Sequence, residues 1–253
     1  MKNLVEYISE SLIIEKKFDI DENHALECAK NFDFKSMSED ELLWLMKTQI
    51  GVVEVDDDTL EGCIRDFCNT CQLNGLHGKL ILNWIDTSKV TSFYGKGRSK
   101  LYGVGAEGNI DISKWDVSNV ENMICAFNSS TNNWTKFNCD LSGWNTKKLK
   151  YADHAFSGCT KFEGKGLDKW DVSNLERAGG MFNRCKKFNP DLSKWDVKNL
   201  IYAERMFQDC LSFEGKGLDK WNVSDEANFN GMFLFCKNLK FDYEKYWNKK
   251  YLD

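Results

Sequence analysis

The sequence predicts an α/β protein whose larger part, residues 76–240, is a solenoid of strand-plus-short-helix repeats about 25 residues long. Three observations carry this reading. Trp84, Trp115, Trp144, Trp170, Trp195 and Trp221 recur at intervals of 31, 29, 26, 25 and 26 residues. Twelve positions after each of the last five stand Phe127, Phe156, Phe182, Phe207 and Phe233. Fifteen positions after the last four come Cys159, Cys185, Cys210 and Cys236, and eighteen after them Phe162, Phe188, Phe213 and Leu239. Columns held in phase this way mark one unit that cannot bury its apolar residues alone and must stack on its neighbours.

Within a copy the spacing changes character. From Leu192 through Trp195 to Val197 the run is short, with polar residues between apolar ones, and predicts a strand. Ala203, Met206, Phe207 and Cys210 then follow at offsets of three, four and seven, which predicts one face of a short helix. A longer period overlies the first: Phe162–Trp170 and Phe213–Trp221 share one sequence, whereas the copy between them carries Pro190-Asp-Leu-Ser. Alternate coils therefore differ in one turn, and Gly164, Gly166, Gly215 and Gly217 fit backbone angles that other residues avoid. Truncating the buried Trp170 or Trp195 to Ala is expected to cost about 3–5 kcal/mol.

Segments such as Asp191-Leu-Ser-Lys-Trp-Asp-Val and Met206-Phe-Gln-Asp-Cys resemble the BspA-type leucine-rich-repeat-like surface proteins, with their W-D-V-S-N-V and M-F-x-x-C signatures. The resemblance covers residues 109–240. It fits the copy around Trp84 poorly, because Phe93 and Tyr94 fall off the Phe column. It implies a leucine-rich-repeat-like solenoid that binds proteins or host surfaces. Many relatives are secreted or lipid-anchored, and this sequence shows no export signal.

Residues 16–75 lack the repeat and predict a small helical region. Ser38 and Glu41 form a capping box ahead of Leu42, Leu43, Leu45 and Met46, and Asp58 with Glu61 marks a second start before Ile64, Phe67 and Cys71. The region reads first as the cap that a solenoid's end coil requires, and second as a docking module. Residues 241–253, with Phe241, Tyr243, Tyr246 and Trp247, are expected to cap the other end.

Residues 1–15 read as a targeting peptide or an amphipathic helix. Met1-Lys-Asn-Leu-Val-Glu-Tyr-Ile-Ser-Glu10 resembles the capsid-targeting peptide of internal proteins in T-even-type phages, which implies cleavage after Glu10, with Glu15 as a second candidate. Leu4, Tyr7, Ile8, Ser11 and Leu12 equally describe one face of an ordinary helix.

Composition narrows the function. A formal net charge of -5 argues against a nucleic-acid surface, which needs a dense Lys/Arg footprint. No apolar run is long enough to span a bilayer, so a cytoplasmic or virion location without membrane partners is expected. Of the ten cysteines, Cys159, Cys185, Cys210 and Cys236 fall in phase with the packing columns, and the cysteines read as buried thiols rather than disulfides.

Little points to chemistry. Cys63, Cys68, Cys71 and His77 give a C-x4-C-x2-C-x5-H spacing with soft ligands, but zinc sites usually pair two such knuckles, so buried helix thiols are preferred and no metal or cofactor is expected. His24, His77 and His154 sit in no evident Ser/Cys constellation, and Gly103, Gly105 and Gly108 make no dinucleotide fingerprint, so no enzyme is expected.

The remaining functional candidate is a polar face beside the tryptophans. Lys114 and Asp116, Lys169 and Asp171, Lys194 and Asp196, and Lys220 and Asn222 flank successive indoles, with Ser118, Ser173, Lys198 and Ser224 extending the row. Such columns read as a mixed-charge sheet for a protein partner, capsid or other virion proteins among the candidates, or as a solvated face whose charges balance. Asn119, Asn174 and Asn199 share one turn position and predict an amide ladder bonded to backbone. The expected function is a non-enzymatic protein-binding or structural module, virion-associated or, alternatively, a bacterial adaptor or host-interaction protein.

Overall fold

The computed structural model describes residues 20–48, 51, 53–76, 79–101, 109–129 and 134–247. Its N-terminal part contains helices α1 (Glu22–Lys30), α2 (Glu39–Thr48) and α3 (Leu60–Leu73), with a 3-10 turn at Phe34–Ser36. The capping box opens α2: Ser38 N–H donates to Glu41 Oε2 at 2.7 Å, and Glu41 N–H donates to Ser38 Oγ at 3.3 Å. At α3 the expected start at Asp58 gives way to a turn held by Asp56, and the helix itself starts two residues later than Asp58. Asp56 Oδ1 accepts the N–H groups of Asp58 and Thr59 at 3.1 and 3.0 Å, and the helix begins at Leu60. Phe34 and Phe67 then pack edge-on against Trp84, with centroids 5.5 and 4.8 Å away, so this region covers the first coil.

The described residues form six two-residue strands, in chain order β1 (Val53–Glu54), β2 (Leu80–Ile81), β3 (Ile85–Asp86), β4 (Tyr94–Gly95), β5 (Arg98–Ser99) and β6 (Ile110–Asp111). β1 pairs parallel with β3, Val53 opposite Ile85, and β2 pairs parallel with β6, Leu80 opposite Ile110. β4 and β5 form an antiparallel pair. This hairpin carries Phe93 inward, 6.4 Å from Phe127, so the first copy feeds the Phe column although its spacing is out of phase.

Beyond β6 the coils stack through a ladder of single parallel bridges: Ser92, Asn122, Tyr151, Arg177, Tyr202 and Asn228, each paired with the next. From Asn122 onward these lie seven residues after a coil's Trp. The expected strand at Leu192–Val197 and helix at Ala203–Cys210 are absent, and turns take their place. The backbone bonding gives the reason. Ala203, Arg205, Phe207 and Asp209 donate their N–H groups to the next coil at 2.8–3.0 Å, while Met206, Gln208 and Cys210 donate three residues back within their own coil. Arg205 and Asp209 have φ of 54° and 60°, which a right-handed helix excludes. Turns of this kind, each closed by an N–H three residues on, bury Ala203, Met206, Phe207 and Cys210 and so produce a helix-like apolar spacing without a helix.

The columns are bonded as well as packed. Trp115, Trp144, Trp170, Trp195, Trp221 and Trp247 each donate the indole N–H to a carbonyl of the preceding coil, at 2.9, 3.1, 3.3, 2.7, 3.0 and 3.2 Å. Trp84 begins the column, and its buried Nε1 has no partner among the described residues; Trp134 Nε1 is also unpaired, for which the surroundings give no reason. Phe127, Phe156, Phe182, Phe207 and Phe233 stack with centroids 5.1–6.0 Å apart. The thiols of Cys159, Cys185, Cys210 and Cys236 reach the carbonyls of Phe127, Phe156, Phe182 and Phe207 at 2.9–3.0 Å. Each of these cysteines is a free thiol.

The alternate turn also has a physical cause. Gly166 and Gly217 adopt φ of 92° and 84°, and a Cβ on either would lie 2.2 Å from the backbone nitrogen of Ser142 or Ser193. Coils with glycine at this point therefore seat directly on coils carrying the Leu-Ser turn. The short helix α4 (Tyr243–Trp247) closes the described chain.

Candidate partner-binding face

The residues expected to form a sheet beside the tryptophans lie outside any strand, in turns and irregular backbone and, for Lys169 and Lys220, at the ends of short 3-10 helices. Lys114, Asp116, Lys169, Asp171, Lys194, Asp196, Lys220 and Asn222 are all exposed. Their carboxylates are engaged locally. Asp171 Oδ1 accepts the N–H and hydroxyl of Ser173 at 3.0 and 2.6 Å, bonds that hold its carboxyl below the usual range. Asp196 pairs with Lys198 at 3.0 Å, which depresses its carboxyl in the same way. Lys220 pairs with its neighbour Asp219 at 3.0 Å. The face is a series of self-bonded turns, and its acidic groups serve the turn backbone first.

The amide positions behave as their spacing predicts. Asn119, Asn174 and Asn199 donate to the carbonyls of Ser88, Lys147 and Ser173 in the preceding coil at 2.7, 2.7 and 2.6 Å.

A different row stands out on the bridge ladder. Tyr151, Arg177 and Tyr202 follow one another across three coils, and the guanidinium of Arg177 lies 4.7 Å from the centre of the Tyr202 ring. Arg177 Nε donates to Asp153 Oδ2 at 2.9 Å, while Asp153 Oδ1 accepts the N–H of Gly179 at 3.1 Å. This bond and the charge of Asp153 raise the affinity of Arg177 for its proton. Asn228 donates to Glu204 of the preceding coil. Tyr202 is 47% exposed, although the backbone under it is fixed by bridges on both sides. Rigid backbone, two tyrosines and an oriented arginine suit recognition of another protein. Sequence reasoning missed this row because it placed the strand at the Trp. The signal was present in the residue just ahead of each inward Met, Ala or Phe, which changes from coil to coil.

The cysteine triplet lies on the inner face of α3, where Cys63, Cys68 and Cys71 are buried, and burial pushes the thiols of Cys63 and Cys71 up strongly. No cluster of three or more potential metal ligands occurs among the described residues. His77, Gly103, Gly105 and Gly108, like Glu10 and Glu15, lie outside the described residues.

His24 requires a correction, because the structure does place it beside a cysteine. Its Nδ1 is 2.8 Å from Glu41 Oε1 and its Nε2 is 3.4 Å from Cys28 Sγ. The hydrogen bond that His24 donates to the Glu41 carboxylate raises the pKa of His24. Burial raises the thiol of Cys28, with the charges of Asp33, Glu41 and Glu27 adding to it, which disfavours the thiolate a nucleophile needs. Glu41 also holds the α2 capping box, so the trio fastens α1 to α2.

No helix among the described residues is long and apolar enough to cross a membrane. Comparison with curated proteins and with solved structures gave no match. Two overlapping stretches, residues 78–165 and 132–247, match the family described as Mycoplasma protein of unknown function, DUF285, and with most of its length covered the chain belongs to that family.

Proposed function

We propose that the chain is a non-enzymatic, leucine-rich-repeat-like solenoid that binds a protein partner along the Tyr151–Arg177–Tyr202 row. The observation that carries this reading is the exposed Tyr202 ring under the Arg177 guanidinium, on backbone held by a bridge from each neighbouring coil. Tyr and Arg supply most of the energy of many protein interfaces, and ordering them beforehand lowers the entropy cost of binding. Family membership is consistent with the BspA-type resemblance of residues 109–240, and it is that resemblance, not the family match, that implies binding of proteins or host surfaces.

The test is capture of partners by the immobilised chain from extracts of its native source, quantified by mass spectrometry. A partner of this row is reduced tenfold or more by Arg177→Glu and by Tyr202→Ala, and is retained by the triple variant Lys169→Glu, Lys194→Glu, Lys220→Glu. Loss in the triple variant alone moves the site to the Lys/Asp turns. A virion-packaged form of this reading rests on residues 1–10, and an intact Met1 in assembled particles removes it.

A further inference from the structure

Lysine and arginine are divided between the surfaces of the stacked coils. Residues 109–247 contain seventeen lysines and three arginines. The stretches running from seven to fourteen places after Trp115, Trp144, Trp170, Trp195 and Trp221 hold all three arginines, Arg177, Arg184 and Arg205, and no lysine. These stretches begin at the bridge ladder, so the three guanidinium groups lie on two adjacent coils that also carry the Tyr–Arg row. Charge for solubility alone is met as well by lysine. A planar fork of donors is specific to arginine, and it matches a carboxylate in two parallel bonds.

The three arginines are not equivalent. Arg177 is committed to Asp153 and to the Tyr202 ring. Arg184 and Arg205 are exposed and form no ion pair among the described residues. The acids of these coils serve elsewhere or stand off: Asp153 holds Arg177, Glu204 accepts from Asn228, and Asp209, in Arg184's place one coil on, does not pair with it. Backbone bonds join the two arginines. Arg184 N–H donates to the Gln208 carbonyl at 2.8 Å, and Gln208 N–H donates to the Arg205 carbonyl at 3.1 Å. Asn183 Nδ2 adds a bond to Gln208 Oε1 at 3.1 Å, so both side chains rise from one bonded framework. Both residues hold left-handed angles, φ of 62° and 54°, at places where the neighbouring coil uses Gly158 or Gly180. Arg205 is also seated: a Cβ on Gly231 would lie 3.4 Å from its Cγ, so its stem lies against the next coil where that coil has no side chain.

We propose that Arg184 and Arg205 read carboxylates of the bound partner, so that the segment recognised on this face is acidic. This rests on the protein-binding reading of the Tyr151–Arg177–Tyr202 row and adds the partner's chemistry to it. Two Asp or Glu side chains of the segment accept from the two guanidinium groups, while Tyr202 supplies contact area beside them. A basic segment would set like charges together, and a neutral one would strip water from two cations without replacing it.

The probe is a library of random dodecapeptides, selected against the immobilised full chain and sequenced before and after selection. The expected result is a tenfold or greater enrichment of peptides with two or more Asp or Glu residues. The double variant Arg184→Lys with Arg205→Lys keeps the charge and removes the fork, and it should cut that enrichment tenfold or more. Lys186→Ser with Lys187→Ser, which changes lysines just outside the stretch, should keep it. Equal enrichment in the double arginine variant overturns the proposal, because charge alone then suffices, as does an equal loss in the lysine pair. Enriched peptides without acidic residues overturn it as well, and if Tyr202→Ala abolishes their binding the Tyr–Arg row stands without it. Acidic peptides lost in the arginine variant but kept in Tyr202→Ala support the arginine site and remove the row. No enrichment at all overturns the proposal.

Discussion

Trp247 donates its indole N–H to the carbonyl of Leu218 at 3.2 Å, the bond that Trp221 makes to Leu192 one coil earlier. Its ring lies 5.8 Å from that of Trp221 at an interplanar angle of 10°. Trp247 is thus a member of the indole column as well as part of the cap. Trp247→Ala is expected to lower unfolding stability by about 3–5 kcal/mol. Trp247→Phe keeps much of the packing and removes one of two bonds to the Leu218 carbonyl, which still accepts the Trp221 N–H at 3.1 Å, so a loss of about 0.5–1.5 kcal/mol is expected. Urea titration followed by circular dichroism measures both, and a loss for Trp247→Ala no larger than that for the exposed Tyr246→Ala would contradict the assignment.

The cysteine column predicts chemical silence. Cys159, Cys185 and Cys210 are wholly buried, and desolvation raises their thiols well above the ordinary value. Iodoacetamide at pH 8 is expected to leave these three unlabelled over hours in the native protein and to label them within minutes in urea. Rapid native labelling at Cys185 would show that the coils do not close over it.

Acid should unfold the chain through two carboxylates near its middle. Burial works against the charge of Asp111, but bonds from Ser113 and Lys79 outweigh it and leave the group well below the usual range. The bond from Lys165 lowers Asp140 to about 2. Since both folded values are depressed, their contribution is complete above about pH 4 and is lost as pH falls toward 2. Stability measured by denaturant should fall over that window, and the pair Asp111→Asn with Asp140→Asn should flatten the slope while lowering stability at pH 7. An unchanged slope would mean that other groups control the acid limb.

Two glycines should respond in opposite directions. Gly166→Ala drives a methyl into the Ser142 backbone at a left-handed angle, and a loss of about 3 kcal/mol or more is expected. Gly62, within α3, has nothing within 4 Å of its would-be Cβ, so Gly62→Ala should gain about 0.5–1 kcal/mol. Thermal melts of the two variants provide the comparison.

Side-chain periodicity revealed which residues face inward, because burial depends on phase alone: Trp170, Phe182, Cys185 and Phe188 are all buried as their columns require. It could not reveal how the backbone gets there. Ala203, Met206, Phe207 and Cys210 recur equally well on a helix and on successive turns, and the difference lies in where each N–H goes, which no side chain records. Local chemistry was readable where a side chain bonds its own neighbourhood, as at Ser38 and Glu41. The Tyr–Arg row and the His24–Cys28–Glu41 contact were not, since both depend on which segments become neighbours.

The close seating of Gly166 on Ser142, and of Gly217 on Ser193, sets a rule for how this kind of chain changes length. Removing a single coil would bring two glycine turns, or two Leu-Ser turns, face to face and leave either a collision-free gap or an unmatched backbone. From Ser142 to Gly217, where the two turns alternate, duplication or deletion conserves this fit in two-coil blocks, such as the 51 residues from Gly166 to Gly217, whereas the Trp115 and Trp144 coils both carry an Asp-x-Ser turn and stack without a glycine turn between them. Within that alternating part the unit of growth is therefore the pair.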